Sequence, residues 1–174
     1  MSNRKVKLLA PLALVSAAVL AVSGGLASAD GSSSGGKVHW YEADTGLDGS
    51  LGTVILTGAV TDHGTDHQGV AHGGDYNRFV LSKGTFEISI AKFGNELNFP
   101  VNPATCSADG SATAPIPIVD GTGTRAYKGI SGTIQTTVTF AWILPRLANG
   151  KCNTNATRYP GIALASGAGT VTYK

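Results

Sequence analysis

The clearest pattern of apolar and polar positions runs from Ile134 to Trp142. Ile134, Thr136, Val138, Phe140 and Trp142 fall on one face, with Gln135, Thr137, Thr139 and Ala141 on the other, because side chains alternate across an extended backbone. This period of two predicts a strand that Pro145 ends. The same signal recurs where Phe86, Ile88 and Ile90 alternate with Thr85, Glu87 and Ser89, so Arg78 to Ser82 and Thr85 to Lys92 read as a hairpin turning at Lys83-Gly84. Leu51 to Thr61 is rich in β-branched residues, with Gly58 as a bulge or point of close approach. Lys37 to Glu42 predicts a short first edge strand, and Gly161 to Tyr173 a final strand pair or one strand bent at Gly167 and Gly169. Ala112 to Val119 carries Pro115 and Pro117, which cannot donate to a ladder, so it reads as an edge strand or one with its donors turned outward.

The segments between these runs read as turns and loops. Asp44 to Ser50 is a turn. Thr61 to Asn77 holds His63, His67 and His72 among glycines, shows no apolar period and is expected to be a long loop. Lys92 to Asn98 has room for one helical turn, which Pro100 and Pro103 keep from growing. Gly121, Gly123, Gly129 and Gly132 punctuate a turn over which Tyr127 is placed to pack. Arg146 to Pro160 is a polar connection. Strands joined by glycine turns, with no long helix between them, predict an all-β fold, a closed or nearly closed antiparallel barrel. A two-sheet β-sandwich is the alternative.

The first 29 residues stand apart. Arg4, Lys5 and Lys7 form a basic start, Leu8 to Val22 an apolar run, and Ala27-Ser28-Ala29 a small-residue cleavage site. This is the pattern of a secretory signal peptide cut after Ala29, its apolar run being short for a membrane span. Residues 30–36 then form a flexible lead-in and 37–174 a single barrel domain. The leader holds three of the thirteen basic residues and none of the eleven acidic ones, so ten against eleven remain after export. A chain near neutrality offers no electrostatic footing for nucleic acid, and no other apolar run is long enough to insert in a membrane. The expected location is therefore extracellular. Cys106 and Cys152, the only cysteines, read there as one structural disulfide closing a loop of over forty residues.

Motifs that could carry chemistry fare poorly against plainer readings. Gly121-Thr122-Gly123-Thr124-Arg125-Ala126 matches the letters of a dinucleotide fingerprint, but a strand follows instead of a helix, and no acid stands near Ala141 and Trp142 to hold a ribose. It is a turn, and no cofactor is expected. His63, His67 and His72, with Asp62, Asp66 or Asp75, have the ligand types for zinc or copper. The glycines around them favour a hydrated loop instead, and no metal is expected. The nucleophile-elbow and zinc-protease signatures are absent. Asp44, Asp48, Glu87, Glu96, Asp109 and Asp120 are scattered, so whether any two make a glycosidase pair is a spatial question. Asn155-Ala156-Thr157 is a formal glycosylation sequon on an expected surface loop. Trp40, Tyr41, Tyr127, Phe140, Trp142 and Tyr159 are candidates to line a cavity, with Phe140 and Trp142 placed by their alternation in the core.

From Ile116 to Thr139 the order strand, Gly121-Thr122-Gly123, Tyr127-Lys128-Gly129, Ser131-Gly132-Thr133, strand resembles the G-T-G-x-Y-x-G-x-x-G pattern of the allene oxide cyclase and dirigent-like barrels, with Arg125 as one extra residue before the tyrosine. The layout is also similar to small secreted bacterial proteins that carry two cysteines. The resemblance extends over roughly Phe79 to Tyr173. It implies an antiparallel up-and-down barrel of about eight strands with a central cavity, a scaffold that in plant members isomerises or orients apolar small molecules. It transfers no catalytic residue to this chain. The functional expectation is a secreted, non-catalytic barrel that binds a small apolar ligand at its mouth or acts at the cell surface. The alternative is a cyclase, isomerase or dirigent-like factor, which requires polar or titratable side chains pointing into the cavity.

Overall fold

The computed structural model describes residues 35–45, 52–68, 75–93, 100–156 and 159–174. The leader, most of the lead-in, Asp48, His72, Glu96 and the core of the proposed helical turn lie outside the described residues. Eight strands form one closed antiparallel barrel: β1 Gly36–Asp44, β2 Gly52–Gly58, β3 Asp62–Gln68, β4 Tyr76–Leu81, β5 Gly84–Ser89, β6 Ser107–Ile118, β7 Ile130–Ile143 and β8 Gly161–Tyr173. Each strand pairs with its neighbours in sequence, and β1 closes onto β8 over nine residues, from Gly36 opposite Val171 to Asp44 opposite Ala163. That closure decides for the up-and-down barrel over the sandwich. β8 is a single strand of thirteen residues rather than a pair.

Alternation fills the interior. Val38 and Trp40, Val54 and Leu56, Phe79 and Leu81, Phe86 and Ile88, Ile116 and Ile118, Ile130 and Ile134, and Val171 are all buried. Their rings run as an edge-to-face series, Trp40 to Phe79 at 5.2 Å, Phe79 to Phe86 at 5.4 Å and Phe86 to Tyr127 at 5.4 Å, an arrangement the ring quadrupoles favour. β8 contributes small residues, Ala163, Ala165, Gly167 and Gly169. At Gly167 a Cβ would meet Thr136 Oγ1 at 2.6 Å and Ile134 Cγ2 at 2.7 Å, so β7 packs where a side chain would stand.

The expectation of a loop from Thr61 to Asn77 is corrected. Residues 62–68 are strand β3, paired to β2 from Gly52 opposite Asp66 to Leu56 opposite Asp62, and to β4 from Gly64 opposite Leu81 to Gln68 opposite Asn77. It shows no apolar period because its inward positions are Asp62, Gly64 and Asp66. A polar interior erases the alternation from which strands are read, while the ladders on both sides hold the strand extended.

The turn between β6 and β7 has a larger role than a corner. β5 pairs with β6 only at Ile88 opposite Ile118, leaving the β5 backbone in need of partners. Residues 119–126 supply them. Val119 N–H donates to the Glu87 carbonyl (2.9 Å) and Thr124 N–H to the Thr85 carbonyl (2.9 Å). The Thr122 and Thr124 hydroxyls accept from the N–H groups of Glu87 and Thr85, each at 3.0 Å. Pro115 and Pro117 lie on the stretch of β6 that β5 does not pair, where a missing donor is tolerated. Arg125, the extra residue, takes φ 51° and opens a short 3-10 turn that ends in buried Tyr127.

Cys106 and Cys152 form a disulfide, with Cα atoms 5.3 Å apart, tying the start of β6 to the connection between β7 and β8. The same connection is held by Arg146, which donates to the carbonyls of Gly150 (2.7 Å) and Ala104 (2.6 Å).

Candidate functional site

Among the described residues, two clusters of polar side chains interrupt the apolar interior. At one end Asp62 accepts hydrogen bonds from the Ser82 hydroxyl, the Tyr127 phenol, Lys83 N–H (2.9 Å) and His63 N–H (2.8 Å). Burial pushes this carboxyl up, but the four donors outweigh it and hold the acid well below the usual carboxylate range. The Tyr127 hydroxyl, buried and facing a carboxylate, is pushed up correspondingly. With every oxygen engaged, this is a structural fastening of the 3-10 turn to the start of β3.

At the other end Glu42 and Asp44 from β1, Asp66 from β3 and Asn77 from β4 meet inside the barrel. Glu42, Asp44 and Asn77 border a cavity of about 110 Å³ lined also by Trp40, Ile90, Phe93, Val138, Ala163 and Ala165, and Asp66, bonded to Asn77, lies outside its lining. The space exists because β8 presents alanines here and β2 presents Gly52, where a Cβ would stand 2.6 Å from Glu42 Oε1. It lies at the barrel end where β1 finishes and β4 begins. Asn77 Nδ2 donates to Asp66 Oδ2 at 2.5 Å. Asn77 Oδ1 is buried without a hydrogen-bond partner among the described residues.

The two acids Glu42 and Asp66 share a hydrogen bond. Burial, then the charge of Asp66 and its hydrogen bond, and then the charge of Asp44 push the Glu42 carboxyl up to about 9, against a small opposing pull from the Trp40 indole N–H. Burial also raises Asp66, to about 6, but the hydrogen bonds from Glu42 and Asn77 restrain it. Burial and mutual repulsion therefore favour a proton shared by the Glu42–Asp66 pair at pH values where two isolated carboxyls would both be ionised. An un-ionised acid facing an apolar cavity can donate a proton or a hydrogen bond, while its partner can accept one.

The residues singled out from sequence scatter in space. Among the candidate acids Asp44 enters the site. Glu87 instead meets Arg78 at 2.9 Å, while Asp109 and Asp120 are exposed. His63 and His67 lie four residues apart on the outer face of β3, about 13 Å along the strand, too far for one ion. Of the aromatic candidates Trp40 lines the cavity and Tyr41 faces outward at 50% exposure. Phe140 and Trp142 stack on each other at 4.8 Å, and neither borders this cavity. Glu42, not singled out from sequence, is the central acid. Its signal was its parity with Trp40 in β1, which places it on the inward face.

Compared with family models, curated proteins and solved structures, the chain matches none.

Proposed function

We propose that the barrel is an exported binding protein for a small, mainly apolar molecule, received in the cavity between β1, β4, β7 and β8. The observation that carries the reading is the cavity itself, an apolar space with a few convergent polar groups in an otherwise filled barrel. At about 110 Å³ it suits a molecule smaller than the benzene-sized guests of larger apolar cavities. The disulfide is compatible with an oxidising compartment. The eight-stranded closed order agrees with the architecture that the allene oxide cyclase and dirigent-like resemblance implies, an architecture that other barrels share. The test is titration of the purified protein with isobutanol and cyclopentane, following the Trp40 indole N–H by NMR. Saturable shifts that vanish in Ala165→Leu, which fills the space, are expected. Absence of any shift at millimolar probe would remove the binding reading.

A second reading, a cyclase or isomerase, rests on Glu42 at the cavity wall with its carboxyl raised by burial and by its neighbour Asp66. Exchange of the α-hydrogens of cyclopentanone into deuterated buffer, faster than the buffer rate and lost in Glu42→Gln, would support it. An unchanged rate leaves the binding reading alone.

A further inference from the structure

The outer wall of the barrel is uneven in charge. β7 and β8, the two longest strands at fourteen and thirteen residues, contain no Asp, Glu, Lys or Arg on either face. The outward positions beside them continue the pattern, with Ser111 and Thr113 of β6 and Tyr41 and Ala43 of β1. Asp109 of β6 and Lys37 of β1 carry the outward charges of these four strands, and both stand at the margins. Across the face runs an exposed apolar stripe. Ile55 of β2 stands opposite Tyr41 of β1, and Leu164 of β8 lies one diagonal step from Tyr41. Ile162 follows on the same strand, and Ile143 of β7 lies diagonal to it. These five side chains are between 44% and 56% exposed.

The relief of the face fits itself. Ile162 and Leu164 form a ridge along β8, and beside it the small Ala141 of β7 leaves an open trough bounded on the far side by Asp109 and Ser111 of β6. A two-fold axis lying in the interface and running along the strands between β7 and β8 sets the ridge of each copy into the trough of the other, as an isologous contact requires. The polar groups do not oppose this. Thr113 and Thr137 share a hydrogen bond at 2.9 Å and the Thr139 hydroxyl donates to Ser111 at 3.3 Å, so covering the face leaves them bonded. At the strand and residue spacings of a sheet, about fifteen outward positions of about 33 Å² each give about 500 Å² in projection. Accessible area exceeds projection because side chains stand in relief, which brings the face to the order of the about 800 Å² that each partner of a standard interface buries.

We infer that this face is the interface of a two-fold dimer, in which Ile162 and Leu164 of each copy fill the trough over Ala141 of the other. A charged partner finds no complementary charge on β7 or β8, whereas a second copy matches the neutral surface, the ridge and the trough at once and meets no like-charge repulsion. The inference goes beyond the binding reading and does not depend on it. Ala163 and Ala165 alternate with the ridge residues and face the cavity, so the interface backs the cavity wall without entering it.

The experiment is sedimentation equilibrium of the purified protein from about 1 to about 300 µM, a range that spans the weaker affinities of interfaces of this size. A reversible dimer is expected. Ile162→Lys on the ridge and Ala141→Glu in the trough should each give a monomer with an unchanged far-ultraviolet spectrum, since both positions face outward. Leu164→Ser is the milder second ridge variant and should weaken the dimer at least tenfold. Mixing Ile162→Lys with Ala141→Glu should restore a dimer, because the new lysine of one copy then meets the new glutamate of the other while the second ridge and trough stay native. A wild-type protein that is monomeric throughout the range overturns the inference. So do dimers that survive both the ridge and the trough substitutions, and folded variants that lose the dimer but do not recombine on mixing. A monomer that sediments with phosphatidylcholine vesicles also overturns it and assigns the face to a lipid surface.

Discussion

Glu42 and Asp62 are both acids in a barrel interior, yet their surroundings move them in opposite directions. Glu42 is raised from 4.5 to about 9. The folded chain therefore holds a proton that the unfolded chain has released, and stability falls as pH rises from about 4.5 towards 9. Asp66, raised from 3.8 to about 6, acts in the same sense over a lower window. Glu42→Gln removes the larger contribution, so its melting temperature should stay level from pH 6 to 9. The native chain should lose roughly 5 °C or more over that range, measured by thermal denaturation in matched buffers. Asp62 is depressed, so its contribution is present above about pH 4 and is lost as pH falls. Tyr127→Phe deletes one of its donors and should cost about 1.5–3 kcal/mol at pH 7, with a smaller difference at pH 2. A cost that does not depend on pH would assign Tyr127 to packing alone.

At the scale of elements, β3 and the β6–β7 turn show how a strand or a turn can be disguised. β3 repeats Thr-Asp-His, from Thr61 to His63 and again from Thr65 to His67. Because the repeat is four residues long, the acids share the inner face and the histidines the outer one. The glycine turn serves as the missing partner of β5, with Thr122 and Thr124 hydroxyls standing in for backbone acceptors. Replacing both by Val should cost about 1 kcal/mol each. It should also speed amide exchange at Thr85 and Glu87 roughly tenfold, with little effect on the β7–β8 ladder. Uniform acceleration across the barrel would mean that the turn supports global rather than local stability.

For the molecule as a whole, closure makes the long-range contacts depend on one another, and the disulfide adds a constraint outside the barrel ladders. Cys106 lies next to the start of β6, and Cys152 in the connection before β8. Reduction should lower stability by about 2–4 kcal/mol while the far-ultraviolet β signal persists at 25 °C, because no barrel hydrogen bond passes through the bridge. Loss of that signal on reduction would show that the barrel depends on the clip.

The sequence alone determined the all-β class, the positions of β1, β2, β4, β5 and β7, and the cysteine pairing. Each of these follows from local alternation, turn residues or a count of two thiols. The continuous strand at β8 and the extent of β6 needed the partner ladders, since glycine and proline blur local signals. The site needed the whole barrel. Glu42, Asp66 and Asn77 lie on three strands and up to 35 residues apart, and they meet beside one cavity only because β1, β2, β3 and β4 wrap them to the same level. Polar residues at inward positions look like loop in one dimension, as β3 did. Their burial, and with it the raised acidity constants that give the site its chemistry, is a property of enclosure that no stretch of chain carries by itself.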